Sequence, residues 1–369
     1  MKKLINDVQD IVPQALAGYV ASCNGLTLMP DTQTVIRSDI AAVVASGQVA
    51  IVSGGGAGHE PAHCGYVGKG MLTAAVTGDV FTSPSAHAVL QAIRAVAGQG
   101  GVLLIVKNYA SDLANFGQAA RMADAEGIPV ECVVVDDDIA LRADAPAGER
   151  RGIAGTILVH KVAGAAAEAG RSLAEVKNAA EAAVSDLGSI SIALSPGVAP
   201  AIGPSQFALT EHEMEFGPGI HGEAGLKRVP VERARRLAHN MVVRVAAARG
   251  FGPDDDVMLM VNNLGSTSLM ELSIMTGDAL TACAGLGLSV HRVLCGTFLT
   301  ASDMAGVSVS LLRLDSARLE ALDARTLAPA WTSPGRRGSG LLSIGAGGDE
   351  TGAAPNAGRG RDCMEDNHD

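Results

Sequence analysis

The stretch Ser53-Gly54-Gly55-Gly56-Ala57-Gly58-His59-Glu60-Pro61-Ala62-His63 follows directly on the apolar run Val49-Ala50-Ile51-Val52. Glycine has no Cβ, so such a backbone can turn tightly, adopt positive φ and bring its N–H groups close to a ligand's oxygens. The order predicts a buried strand that ends in a contact loop with a histidine at its tip. Further glycines at Gly65, Gly68, Gly70 and Gly78 arrive where a simple hairpin would already have closed. The pattern is not GxxxxGK[ST] and no helix follows at once, which excludes a P-loop and a dinucleotide fingerprint.

The 369 residues, 47% of them hydrophobic, suffice for two cores. Only 3% are aromatic while glycine is abundant, which suits helices packed closely on sheets. The net charge of −11, without a Lys/Arg block, speaks against a nucleic-acid surface. Cys23, Cys64, Cys132, Cys283, Cys295 and Cys363 form no CxxC pair and no metal-ligand spacing, so reduced thiols, a cytoplasmic location and no metal are expected. Asn6-Asp7 interrupts the N-terminus before an apolar leader can form, and the longest apolar runs are strand-length, so no membrane partner is expected.

Apolar spacing predicts helices over 8–22 and 36–46, then the strand 49–52. Ser83-Pro84 reads as a cap and first-turn proline for a helix through Val96, followed by the strand Val102–Val106, a helix over 113–126 and the strand Val130–Val135. Asp136-Asp137-Asp138 reads as solvent-facing, since consecutive carboxylates diverge and rarely converge on a metal. Two helices are expected between Arg150 and residue 186, the second opened by the capping box Ser172–Glu175. Strands near 190–194, 257–261, 290–294 and 307–314, with helices near 231–249 and 268–284, form a second region. The expectation is an α/β protein of two packed domains with mixed, largely parallel sheets: 1–187, carrying the glycine-rich loop, and 188–332. Beyond Trp331, residues 333–369 turn to Gly, Ser and Arg and read as a disordered tail. In such sheets ligands bind beyond the carboxyl ends of strands, where the glycine loop and the Lys107–Asp112 turn both fall.

A second unusual stretch, Glu213-Met214-Glu215-Phe216-Gly217-Pro218-Gly219-Ile220-His221-Gly222-Glu223, surrounds one histidine with glycines and three carboxylates. A neutral imidazole nitrogen attacks carbonyls when a partner on its other nitrogen fixes the tautomer, and a carboxylate can be that partner. The plain alternative is a surface histidine in a loop.

Taken in order, Gly54-Gly55-Gly56-Ala57-Gly58-His59-Glu60-Pro61, Phe81-Thr82-Ser83-Pro84, Lys107-Asn108-Tyr109, Asp112, Arg150-Arg151-Gly152-Ile153-Ala154-Gly155-Thr156, Gly219-Ile220-His221-Gly222-Glu223, Val261-Asn262-Asn263-Leu264-Gly265 and Met304-Ala305-Gly306 resemble the substrate-binding subunit of dihydroxyacetone kinases. The resemblance spans about 1–331. It implies a homodimer in which His221 bonds covalently to the ketone's carbonyl carbon as a hemiaminal, a filter that excludes glycerol because glycerol has no carbonyl. It also implies that His59 and Asp112 move the proton of the hydroxyl being phosphorylated. Gly56, Ala57, Gly58 and Lys107, with His59, Asp112 and His221, are the implied ketone-binding positions.

Ala57 stands where the family commonly has serine and Ser111 where it commonly has glycine; the first bears on which ketose fits, the second on the stiffness of the turn holding Asp112. His63 and His160 are given structural roles. No ATP site is evident in the chain, so the resemblance implies a separate nucleotide-binding subunit carrying ATP, or ADP recharged by a phosphotransferase-system phosphoprotein, with Mg. Alternatives within reach of the same residues are a kinase subunit for erythrulose or another short ketose, and a ketone sensor that never supports phosphoryl transfer.

Overall fold

The computed structural model describes residues 3–140, 149–200 and 207–336. After α1 (Ile11–Ser22), the chain forms β1 (Leu26–Leu28), β2 (Thr34–Arg37), α2 (Ile40–Ser46), β3 (Ala50–Ala57), β4 (Ala74–Val80), α3 (Ala86–Val96), β5 (Val102–Lys107), α4 (Ala110–Ala125) and β6 (Val130–Val135). Helices α5 (Thr156–Glu168) and α6 (Leu173–Ser185) then lead to β7 (Leu187–Ser195), β8 (Glu213–Phe216) and β9 (Lys227–Pro230). Next come α7 (Ala234–Arg249), β10 (Asp256–Asn263), α8 (Leu269–Gly285), β11 (Ser289–Gly296), β12 (Ala305–Arg313), α9 (Ser316–Asp323) and β13 (Gly335–Arg336).

The strands form two sheets, β1-β2-β4-β3-β5-β6 and β13-β11-β10-β12-β7-β8-β9. The α/β class with two mixed sheets holds. In the first sheet β4, β3, β5 and β6 run parallel, and β1 and β2 are antiparallel. The second differs from a largely parallel sheet, since only β10 and β11 run parallel. A parallel pair needs a crossover, which α8 supplies between β10 and β11, whereas β8 and β9 return through loops without one.

Three apolar clusters organise the layers. Along β3, Ala50 and Val52 point into one cluster with α3 and α4, while Ile51 points into a central cluster with α5 and α6. Along β10, Met258 and Met260 join that same central cluster, while Val257, Leu259 and Val261 face α7 and α8. The period-2 alternation of the strands thus makes α5 and α6 a layer shared by both sheets. Capping boxes open α6 (Ser172 with Glu175) and α8 (Ser268 with Glu271). No helix among the described residues is long and apolar enough to cross a membrane.

Five local expectations change. Residues 34–37 are the strand β2, and the helix expected over 36–46 starts only at Ile40, because Val35 and Ile36 pair with both β1 and β4. Ser53–Ala57 belong to β3, so the glycine loop proper begins at Gly58. A Cβ on Gly54 would stand 2.1 Å from Val76 O and one on Gly56 2.5 Å from Thr82 N. Those glycines let the neighbouring chain lie directly on the strand. The cap of α3 is Ser85, which accepts from Ala88 N at 3.2 Å. Asp137 and Asp138 are buried rather than solvent-facing. Of the tail expected over 333–369, Gly335–Arg336 pairs with β11, and residues 337–369 lie outside the described residues.

These contacts predict opposite outcomes for two glycine-to-alanine changes. Gly54→Ala should destabilise the chain by about 3 kcal/mol, since both backbones are held in the sheet. Gly18→Ala, exposed within α1 with nothing within 4 Å of the new methyl, should stabilise it by about 0.5–1 kcal/mol. Urea unfolding midpoints of the two variants check both signs.

Candidate active site

Two loops from different sheets meet beyond the carboxyl end of β3. Gly58, at φ +96°, turns the chain out of the strand, and its missing Cβ leaves room for Phe81, whose ring carbon would lie 2.6 Å from one. The connection between β11 and β12 then clamps the loop: Ser302 N donates to Gly58 O at 2.7 Å, Thr300 N to His59 O at 3.2 Å and Thr300 Oγ1 to Glu60 O at 3.0 Å.

His59 is fully buried, and its Nδ1 lies 2.8 Å from Thr300 O. A carbonyl only accepts, so Nδ1 carries the hydrogen and Nε2 presents its lone pair. That Nε2 has no hydrogen-bond partner among the described residues. Burial, and then the neighbouring His221 and Lys107, hold His59 well below the usual histidine range, so it is a neutral imidazole.

His221 sits on the loop between β8 and β9. Ser191 Oγ donates to Pro218 O at 2.7 Å, Arg151 Nη2 to Gly217 O at 2.9 Å, and Gly225 N to Glu215 Oε1 at 2.7 Å. Of the three carboxylates in the motif, Glu223 is the imidazole's partner: Oε2 accepts from His221 N at 2.8 Å and Oε1 faces Nδ1 at 3.2 Å. Burial alone would raise the Glu223 carboxyl, but the hydrogen bonds and charge of His221 outweigh it and bring it down to about 2. Glu223 is therefore ionised at neutral pH and Nδ1 of His221 donates to it, so in the neutral ring the lone pair falls on Nε2.

Aromatic rings border that imidazole. Tyr109 stands edge-on at 4.5 Å between centroids, His59 at 4.8 Å and Phe81 at 5.5 Å. Phe81 also stacks on His59 at 5.1 Å. Phe81 and Tyr109 fall within the motifs singled out in the sequence, yet nothing there marks them as walls. Phe81 has φ +55°, an unusual conformation for a bulky residue, and its N–H donates to Ala57 O at 2.9 Å.

Lys107 ends β5, and Asp112 lies in the first turn of α4, where the helix N-terminus favours a carboxylate. Both are buried, with Lys107 Nζ 3.9 Å from Asp112 Oδ2 and 3.1 Å from Gly54 O. Gly56 and Ala57 are buried in β3, and the Ala57 methyl packs in the central apolar cluster. The Asp triplet builds the wall behind these groups. Asp137 accepts from Ile153 N at 2.7 Å and Gly155 N at 2.9 Å, and Asp138 from Arg151 Nε at 2.8 Å. Burial pushes Asp137 up to about 6 against those hydrogen bonds. No group of metal-ligating side chains occurs among the described residues.

Residues 17–330 match the Dak1 domain family. The chain is 45% identical over 337 residues to the triokinase/FMN cyclase of Bos taurus, covering 89% of this chain and 58% of that one. It is 43% identical over 316 residues to the dihydroxyacetone-binding subunit DhaK of the PTS-dependent dihydroxyacetone kinase 1 of Listeria innocua, covering 85% of this chain and 95% of that one. Among solved structures, the dihydroxyacetone kinase operon co-activator DhaQ superposes with a TM-score of 0.82 at 38% identity, covering 87% of this chain and 98% of that one. The chain thus spans less than two thirds of the bovine relative's length.

The Glu223 carboxyl predicts a specific acid limb. Its folded value is depressed from 4.5 to about 2, so its stabilisation is complete above about pH 4.5 and is lost as pH falls towards 2. Thermal unfolding across that window should show a shallower loss of stability in Glu223→Gln than in the wild type. Parallel curves would contradict the His221–Glu223 pairing.

Proposed function

The chain belongs to the Dak1 domain family, and on that footing we propose that it is the ketone-holding part of a dihydroxyacetone kinase, keeping the substrate on His221 while a nucleotide-binding subunit delivers the phosphoryl group. The observation that carries this reading is the pair of imidazoles, His221 and His59, with ring centroids 4.8 Å apart and each with its Nδ1 held by an acceptor. With each ring neutral, the Nε2 lone pairs serve one for carbon and one for a proton.

In this mechanism His221 Nε2 forms a bond to the carbonyl carbon while the C=O π pair moves to oxygen, which takes up a proton from solvent to give the hemiaminal on a positively charged ring. The Glu223 carboxylate offsets the positive charge that grows on the ring. Glycerol, lacking an electrophilic carbon, cannot enter this bond. The terminal hydroxyl then loses its proton to His59 Nε2 or to Asp112 as its oxygen attacks phosphorus and the donor's P–O bond breaks, its electron pair leaving with the nucleoside diphosphate on the other subunit. Lys107, Gly56, Ala57 and Gly58 are the proposed contacts that orient the held ketone.

The same reading includes a cytoplasmic homodimer of two α/β domains, 1–187 and 188–332, working with a separate subunit that holds ATP, or ADP recharged by a phosphotransferase-system protein, with Mg. Likeness to the dihydroxyacetone-binding subunit of a PTS-dependent kinase supports the separate subunit. The bovine relative extends well beyond the matched region and supports the alternative of one longer chain. Likeness to the co-activator DhaQ supports a second reading, a ketone sensor. Sensing has no use for a proton acceptor, so the retention of His59 and Asp112 favours the kinase.

The test offers dihydroxyacetone, erythrulose and glycerol to the chain with a purified nucleotide-binding kinase subunit and either ATP or a phosphotransferase-system phosphoprotein. Phosphorylation of a ketone but not of glycerol is expected, with kcat/KM falling about 10²-fold or more in His59→Ala and in Asp112→Asn. Ketone binding without phosphorylation under both donors would favour the sensor. Glycerol phosphorylated as well as the ketones would contradict the covalent filter.

A further inference from the structure

His63 and His160 lie buried beneath the glycine strand, outside the reaction just described. Their environments assign their hydrogens. Lys107 Nζ is 3.1 Å from Gly54 O and 2.8 Å from His63 Nε2. With Lys107 as an ammonium, which can only donate, Nε2 of His63 accepts and its hydrogen is on Nδ1. His160 has the opposite arrangement. Ser53 Oγ donates to Ile105 O at 2.7 Å, so its lone pair faces His160 Nε2 at 3.1 Å, which carries the hydrogen.

The two rings stand 5.3 Å apart between centroids. His63 is left with an Nδ1–H and His160 with an Nδ1 lone pair, and neither nitrogen has a hydrogen-bond partner among the described residues. The contact with Lys107 gives His63 a task that an apolar side chain of the same size could not perform.

Resting on the phosphoryl-transfer reading above, we propose that His63 is a positioning residue: as a neutral acceptor it holds Lys107 as an ammonium, between the Gly54 carbonyl and the Asp112 carboxylate, so that the Lys107–Asp112 pair meets the ketone charged. The groups facing Lys107 are Asp112 from α4, Asp137 after β6, and His59 and His63 from the loop after β3, with His160 on α5 behind His63. Burial lowers Lys107 from the ordinary lysine value, and the two carboxylates oppose that shift. The imidazole lone pair of His63 adds to their side. Burial, with Lys107, His160 and His59 nearby, also keeps His63 from becoming an imidazolium that would repel the lysine.

The test is NMR of the full chain without ketone, reading the tautomers of His63 and His160 by nitrogen-15 shifts and the titration of Lys107 by its Cε and Nζ signals. Expected are Nδ1–H on His63 and Nε2–H on His160. In His63→Leu the Lys107 midpoint should fall by about one pH unit, the scale of a lost hydrogen bond to a charged group. His63→Gln, which restores a neutral acceptor, should return it towards the wild-type value. In the phosphoryl-transfer assay the leucine variant should lose about tenfold in kcat/KM, with most of it recovered by glutamine. An Nε2–H tautomer on His63, or a Lys107 midpoint unmoved in His63→Leu, overturns the proposal. If the leucine variant does not fold, the wild-type tautomers and the glutamine titration still decide. Because the spectra need no ketone, a chain that shows this arrangement yet phosphorylates nothing refutes the proposed function and leaves the His63–Lys107 arrangement standing.

Discussion

The contact on which the rest of the site depends is the one between residues 58–60 and residues 300–302. Three backbone groups of the first segment, the carbonyls of Gly58, His59 and Glu60, are taken by Ser302 and Thr300 of the second, and Thr300 O in turn takes the His59 ring. One carbonyl thereby fixes both the position and the tautomer of His59. The segments come from different sheets, so the contact exists only because both sheets share the apolar layer around α5 and α6. Core packing is in this sense upstream of the electrostatics.

Within that frame, acceptors do most of the work of defining chemical state. Thr300 O orients His59, the Glu223 carboxylate orients His221, and the nitrogen of His63 orients Lys107. In each case a group that can only accept, or only donate, removes a degree of freedom from its neighbour. Burial then keeps His59 and His63 neutral, because an imidazolium there would face Lys107 in a medium with little water. The basic groups beneath the glycine strand are compatible only while the histidines stay uncharged and the two carboxylates, Asp112 and Asp137, stay near the lysine.

Much of this was legible in the residues. The alternation of apolar runs with glycine-bounded helical segments gave the α/β class, and Ser172 with Glu175 marked a helix start that is observed. His221 among glycines and carboxylates pointed to an imidazole with an acidic partner, although choosing Glu223 over Glu213 and Glu215 required the loop's conformation. Where local pattern and tertiary contact disagreed, contact won. Ile36 fits a helical spacing but gains more as a strand partner of β4, and Gly54–Gly56 look like a loop but lie in a strand because a neighbour needs the space of their missing Cβ atoms. Asp137 and Asp138 look like surface charges because their partners, the 153 and 155 amides and Arg151, are more than ten residues away in sequence. The walls formed by Phe81 and Tyr109 were similarly out of reach, since facing rings leave no periodicity.

The central claim is that His221 offers a free Nε2 to a ketone carbon. It is tested most directly by carbon-13 NMR of dihydroxyacetone labelled at its carbonyl and added to chain labelled with nitrogen-15 in histidine. The account predicts a new tetrahedral carbon signal coupled to one imidazole nitrogen, present in the wild type and absent in His221→Ala. A wild-type spectrum containing only the free ketone and its hydrate, under conditions where the ketone is independently shown to bind, would contradict it.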